Sequence, residues 1–362
     1  MNSSLNQPTI KKKKQKQARF IAGLFFIWTL ALWNCAPSGE PALSETSFAG
    51  FTMGTTYHIR IVDMLLTDPQ SRHIHQGVDS LLEFINLSMS TYIDSSEISR
   101  FNQSIDTTPQ PVSAPLAQVL KTSLEIGRSS SGALDITVMP LVNFYGFGYQ
   151  QGATHLPTKP ELDSLQRLMG LHHLVVTDST IQKQISALSL DLGAIAKGFG
   201  VDAVGDFLLH AGIENFMVEI GGEVLGRGVN SRGQPWQIGI DRPVFDQEPG
   251  RQLQHVIQLK DLTIATSGDY RNYREVDGKR ISHTIDPRTG KPIEHRLAAV
   301  SIIAPTCMIA DASATAVMVL GEEAGLKWLE QRLEIEGLLI VRESNGTFRE
   351  LQSSGFSKYI VK

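Results

Sequence analysis

The residue pattern predicts an α+β fold, with mixed sheets and packed helices. Three observations lead there. Helical periods recur, short strand-like runs lie between them, and the two kinds of element do not alternate strictly as a doubly wound parallel sheet requires. Residues 75–90, HQGVDSLLEFINLSMS, place Val78, Leu81, Leu82 and Ile85 on one face of a helix. Residues 113–132 form a second helix, with Ser113 ahead of Pro115 at its start and Gly132 past its end. Residues 194–212 form a third, closed by His210 and Gly212, a basic residue and a glycine where a helix C-terminus favours both. The runs HLVVTD, NFMVEIG, WQIGI, HVIQL, LAAVSIIA and EGLLIV read as strands.

At 362 residues, 41% hydrophobic and 19% charged, the chain is long enough for a sizeable core and has an ordinary globular composition. The net charge of −4 is unevenly distributed. Residues 1–34 hold six bases and no acid, which leaves 27 bases against 37 acids in the remainder. An acidic body disfavours a nucleic-acid surface. The basic run KKKKQKQAR precedes the 14-residue apolar stretch FIAGLFFIWTLALW and then Cys35, which is the layout of an export signal and is short for a membrane span. Residues 1–34 therefore read as a signal peptide and 35–47 as a polar linker, leaving 48–362 as the body. Cys35 stands where a bacterial lipoprotein is acylated. Leu32 suits that pattern, whereas Asn34 occupies a place usually held by a small residue, and an uncleaved anchor is the alternative. Cys35 and Cys307 are the only cysteines, so with Cys35 lipidated no disulfide supports the body, and Cys307 reads as a small buried apolar residue. The pairs His73/His75 and His172/His173 lack partners at ligand spacing and read as surface residues.

Four segments carry more than scaffold. In DLGAIAKGFGVD (191–202), Asp191 sits just before a helix, Lys197 follows six residues later, and Gly193, Gly198 and Gly200 permit close backbone approach. Exposed amides and a lysine suit a phosphate, and tight packing on a strand is the alternative. In ADASATAVMVLG (310–321), Asp311 and Thr315 are four residues apart on one helix face. Such a pair offers Mg2+ hard oxygens, or Asp311 simply stabilises a helix start. VEIGGEVLGRG (218–228) turns through glycines between Glu219 and Glu223. The last segment runs from Ala265 to Ile293 and ends in SHTIDPRTGKPI, where His283 and Asp286 lead into a turn made by Pro287 and Gly290. Among the motifs absent are a serine elbow, zinc spacing and a Walker loop, and GRGVNSRG is not a dinucleotide fingerprint.

Together with FTMGTTYHI, MSTYIDSSEISRFN, GALDITVMPLVNFYGFG and TSGDYRNY, these segments resemble the ApbE family of flavin transferases, in family order from about residue 48 to the end. The resemblance implies a single catalytic body of two intimately associated subdomains around a FAD cleft. It implies an enzyme that moves the FMN half of FAD onto a threonine or serine hydroxyl of an exported acceptor protein, releasing AMP. Carried over by position, Met53, Tyr92, Ala133, Leu134, Asp135, Asp191, Lys197 and Ile285 would line FAD. The carbonyl of Ala194 and the side chains of Asp311 and Thr315 would hold Mg2+. His283 suits a general base, because histidine titrates near neutral pH, and Asp286 would orient it or fix its loop. The acceptor motif implied is Asp-x-x-Ser/Thr-Gly-Ala-Thr, carried by subunits of redox complexes. This chain has no good copy of it, since SSSGALD puts leucine where the acceptor threonine belongs. The expected location is the periplasmic face of the bacterial inner membrane, with Cys35 as lipid anchor. A Mg2+-dependent FAD pyrophosphatase and a non-catalytic flavin-binding lipoprotein are the other readings.

Overall fold

The computed structural model describes residues 43–62, 64–150, 152–244, 252–269, 273–276 and 279–361. The expected signal peptide, Cys35 and most of the linker lie outside them, as does part of TSGDYRNY. The body is built on an eight-stranded sheet. Its strands are β1 (Glu45–Thr52), β2 (Thr55–Val62), β3 (Phe216–Ile220), β4 (Glu223–Arg227), β5 (Leu262–Gly268), β6 (Leu297–Ala304), β7 (Glu336–Arg342) and β8 (Phe348–Gln352). They neighbour one another in chain order and every pair is antiparallel, so the sheet is a meander with long insertions. β1 begins at Glu45, paired with Val62, so residues 45–47 belong to the sheet rather than to the linker expected over 35–47.

The five longest helices among the described residues are α1 (Asp68–Met89), α2 (Ala114–Ser129), α3 (Ala196–His210), α4 (Cys307–Leu320) and α5 (Glu322–Glu330). α1 starts earlier than its apolar period suggests. Thr67 donates its backbone N–H and its hydroxyl to the Gln70 side-chain oxygen (3.0 and 2.8 Å), and Pro69 fits the first turn. α3 ends at His210 with Gly212 at φ +79°, as its sequence predicts. β6 is buried along its whole length because both its faces are covered. Val300, Ile302 and Ala304 face one core, whereas Ala299 and Ile303 face a second with Ile257 and Leu259 of the hairpin Trp236–Asp241/Leu253–Leu259. Period-two alternation thus assigns the side chains of one strand to two cores. A smaller core of Leu141, Tyr145, Met169, Val276, Ile281 and Ile285 lies under the inserted loops.

His75 departs from its surface reading. It is half-buried, with Nε2 2.9 Å from the Tyr57 hydroxyl, which also bonds Asp79. Cys307 is buried, as expected, and burial pushes its thiol pKa up.

Candidate active site

α3 and α4 cap each other. Ile195, ahead of α3, offers no side-chain acceptor, and the first-turn amide of Gly198 donates instead to Asp311 Oδ2 of α4 (3.1 Å). In return, Asp202 of α3 accepts the amides of Cys307 (2.7 Å) and Met308 (2.8 Å) at the start of α4. The helices approach so closely that a Cβ on Gly198 would lie 2.3 Å from the Cys307 carbonyl oxygen. Asp311 therefore stabilises a helix start, one of its two readings, and the helix it serves is its neighbour.

Lys197 extends from the first turn of α3 into this junction. Its ammonium donates to Glu223 Oε1 at 2.8 Å and lies 3.6 Å from Asp311 Oδ2. Glu223 opens β4, just after Gly221 (φ +61°) and Gly222 (φ +102°), both in conformations that favour glycine. A Cβ on Gly221 would meet Thr55 at 2.8 Å and the Lys197 stem at 3.4 Å. The turn therefore carries Glu223 to the amine and leaves no space for a side chain at Gly221. Glu223 is 3% exposed, and its Oε2 is buried without a partner. Burial pushes its carboxyl up to about 7 against the opposing pull of Lys197. For Lys197, burial alone would lower the amine, but Asp311 and Glu223 hold it above its ordinary value.

Thr315 lies one turn beyond Asp311, with its hydroxyl 3.3 Å from that of Ser267 at the end of β5. The Gly198 amide that a longer α3 would aim at Ala194 goes to Asp311, and among the described residues no hydrogen bond reaches the Ala194 carbonyl. Nor does any group of three or more His, Cys, Asp or Glu suited to a metal occur among the described residues. A cation here would rest on Asp311 with hydroxyl and carbonyl oxygens, a donor set that suits Mg2+ and not softer metals.

The remaining expected residues are linked to neighbours in short chains of contacts. Met53 sits at φ +50° in the β1–β2 turn, and its Cε would be 2.8 Å from a Cβ on Gly200 of α3. Tyr92 is 70% exposed, and its pKa is raised by burial around the hydroxyl and then by the Asp191 charge. Asp191 accepts the Gly193 amide (2.7 Å), and its own amide donates to the Ile136 carbonyl (2.7 Å), which ties it to the GALD loop. Burial raises its carboxyl pKa. In that loop Asp135 accepts the amide and hydroxyl of Thr137, and burial raises it too. Ala133, Leu134 and Ile285 have buried side chains, so they offer a ligand only backbone.

His283 is half-buried, its ring edge-on to Phe147 at 6.2 Å between centroids. The Phe147 carbonyl in turn lies 3.5 Å from the Tyr92 hydroxyl. Asp286 belongs to the turn. Both its oxygens accept from the Arg288 guanidinium (2.8 and 2.9 Å), and its carbonyl accepts the Gly290 amide. These contacts fit the loop-fixing role expected for it. Arg288 joins this turn to the rest of the site, with Nη2 3.5 Å from the Val319 carbonyl of α4 and Cγ 3.8 Å from a Cβ position on Gly132. A cleft of about 1000 Å³ beside α2 includes none of these residues. Glu223, Ser267, Asp202 and Arg288 were absent from the sequence-derived site. All four lie inside segments that the sequence singled out, and Glu223 was marked there by its glycine turn.

The meander sheet and its packed helices are shared with one known class of enzyme, the flavin transferases. The ApbE family profile matches residues 53–339, and the chain belongs to that family. The FAD:protein FMN transferase of Vibrio cholerae is 44% identical over 339 residues, 92% of this chain and 99% of that protein. That of Escherichia coli K12 is 36% identical over 352 residues, 95% of this chain and 97% of that protein. Among solved structures, the flavin transferase ApbE from Vibrio cholerae superposes with a TM-score of 0.80 at 43% identity, covering 88% of this chain and 99% of that one. The apo flavinyl transferase ApbE of Pseudomonas stutzeri gives 0.79 at 35% identity, covering 88% and 97%. The chain is an enzyme of the transferase class.

Proposed function

We propose that this enzyme transfers the FMN moiety of FAD to a threonine or serine hydroxyl of an exported acceptor protein. The hydroxyl oxygen attacks the FMN-side phosphorus, the bond from that phosphorus to the bridging oxygen breaks, and AMP leaves with the bridging oxygen. The observation that carries this reading is the Lys197–Glu223–Asp311 cluster beside the Thr315 hydroxyl and the open Ala194 carbonyl. Phosphoryl transfer needs positioning and charge neutralisation more than covalent help. Mg2+ held by Asp311, Thr315 and the Ala194 carbonyl would supply part of that charge. Lys197 supplies a fixed positive charge for the phosphates. His283 takes the acceptor proton, and Asp286, locked by Arg288, keeps the loop that carries it rigid.

The acceptor carries a segment like Asp-x-x-Ser/Thr-Gly-Ala-Thr, in a subunit of a redox complex. Export, with anchoring to the periplasmic face of the inner membrane through Cys35, rests on the pattern of residues 11–35. The test mixes the full chain with FAD, Mg2+ and an acceptor domain bearing that motif. Flavin fluorescence on the denatured acceptor, matched by AMP, supports transfer. AMP with free FMN and a dark acceptor makes the enzyme a pyrophosphatase. No AMP at all refutes both.

A further inference from the structure

Glu223 is a buried carboxylate of the junction to which the proposed reaction gives no task and which, unlike Asp202, caps no helix. It is 3% exposed, it receives the Lys197 ammonium at 2.8 Å, and its second oxygen is buried without a partner. Burying a carboxylate with half of its hydrogen-bonding capacity unused is costly, and a purely structural ion pair here would be no better than an apolar pair of similar size. The same lysine has a second anion within reach, since Asp311 Oδ2 lies 3.6 Å from Nζ. Asp311 is thus contested. Its Oδ2 already takes the Gly198 amide, and a direct ammonium contact would cancel the charge that draws a cation to it.

We propose that Glu223 is a positioning residue that holds Lys197 away from Asp311 and so keeps Asp311 available to a divalent cation. The inference rests on the reading of Asp311 as a cation ligand and adds what keeps it one. The geometry supports it from three sides. Glu223 is fixed by the Gly221–Gly222 turn, and the Lys197 stem lies against Gly221, 3.4 Å from where a Cβ would stand. Of the two carboxylates Glu223 has the shorter contact, 2.8 against 3.6 Å. When Glu223 loses its charge, nothing competes with Asp311 for the amine. Lys197 then closes on the aspartate, and cation affinity falls although no ligand has been removed.

The experiment is a titration with Mn2+ as a paramagnetic probe, followed by electron paramagnetic resonance on the full chain without FAD. Wild type is compared with Glu223→Gln, Lys197→Met and the double variant. Glu223→Gln is expected to weaken Mn2+ binding about tenfold. The double variant is expected to bind within about threefold of wild type, because the competing amine is gone, and Lys197→Met alone should bind no more weakly than wild type. If the double variant stays as weak as Glu223→Gln, Glu223 acts through its own charge or as a ligand, and the inference is overturned while the cation site stands. An unchanged Glu223→Gln also overturns it. If wild type binds no Mn2+, the cation reading falls and this inference with it. Rescue by a second lesion is a readout that general damage to the fold would not produce.

Discussion

At the scale of single residues, the chemistry is concentrated in charged groups with unequal surroundings. Lys197 is held protonated by two carboxylates, whereas Asp191 and Asp135 are raised by burial. His283 packs edge-on to Phe147. If it accepts the acceptor proton, His283→Asn should reduce the transfer rate by about 10²–10⁴-fold, the usual worth of a general base, and leave FAD affinity within a fewfold of wild type. Single-turnover transfer and an FAD titration separate the two effects, and full transfer by the variant removes His283 from the role. Most of the candidate site was legible at this scale because its members sit in short local patterns, such as Asp311 with Thr315 and Asp191 with Lys197. Glu223 was harder to place, because its partners Lys197 and Asp311 come from distant parts of the chain and only the tertiary fold joins them.

At the scale of elements, the reciprocal caps of α3 and α4 decide where Asp311 and Thr315 stand. Asp202 is buried and its carboxyl is pushed up to about 7. The unfolded value is about 4, so between about pH 4 and 7 the folded state binds more protons than the unfolded one. Asp202 therefore makes stability fall as pH rises through that window. Asp202→Asn, which loses one of two accepted amides, should cost about 1–3 kcal/mol and give a flatter stability profile between pH 4 and 7. Denaturant melts across that range check both. Gly198→Ala should force the helices apart at the Cys307 carbonyl and lose transfer together with stability. Among the secondary elements, long amphipathic helices and apolar strands were legible from period alone. The helix Lys159–Gln166 packs only the half-buried Leu162 and Leu165 against the small core, too few to show a helical period, and the local mark of its start is the capping box of Thr158 and Glu161. The short strands between Tyr273 and Pro292 gave no period, since two to four residues are too few to show one.

At the scale of the whole molecule, the meander explains how dispersed motifs converge. Each long insertion leaves and rejoins neighbouring strands, so the GALD loop, α3, the β3–β4 turn, the Asp286 turn and α4 are delivered to one region. Sequence could identify strands but not this order, because pairing depends on contacts across long loops. A buried amine ties part of an insertion together. Lys183 is fully buried and donates to the carbonyls of Ser104 and Leu188, each at 2.9 Å, and burial pushes it down to about 8. Between about pH 8 and 10.4 the folded state holds fewer protons than the unfolded one, so stability should rise with pH across that window. Lys183→Met should lack that rise and be less stable at neutral pH, because it leaves those carbonyls unsatisfied. Melting temperatures between pH 7 and 10 test this.

The most direct measurement is the intact mass of a motif-bearing acceptor domain after incubation with the full chain, FAD and Mg2+, for wild type and Asp311→Asn. One FMN ester on the acceptor with wild type, and none with Asp311→Asn or with chelator added, is the expected result. An acceptor of unchanged mass while wild type releases AMP, or labelling that survives both the chelator and the substitution, would refute the assignment of this junction as a metal-assisted flavin-transfer site.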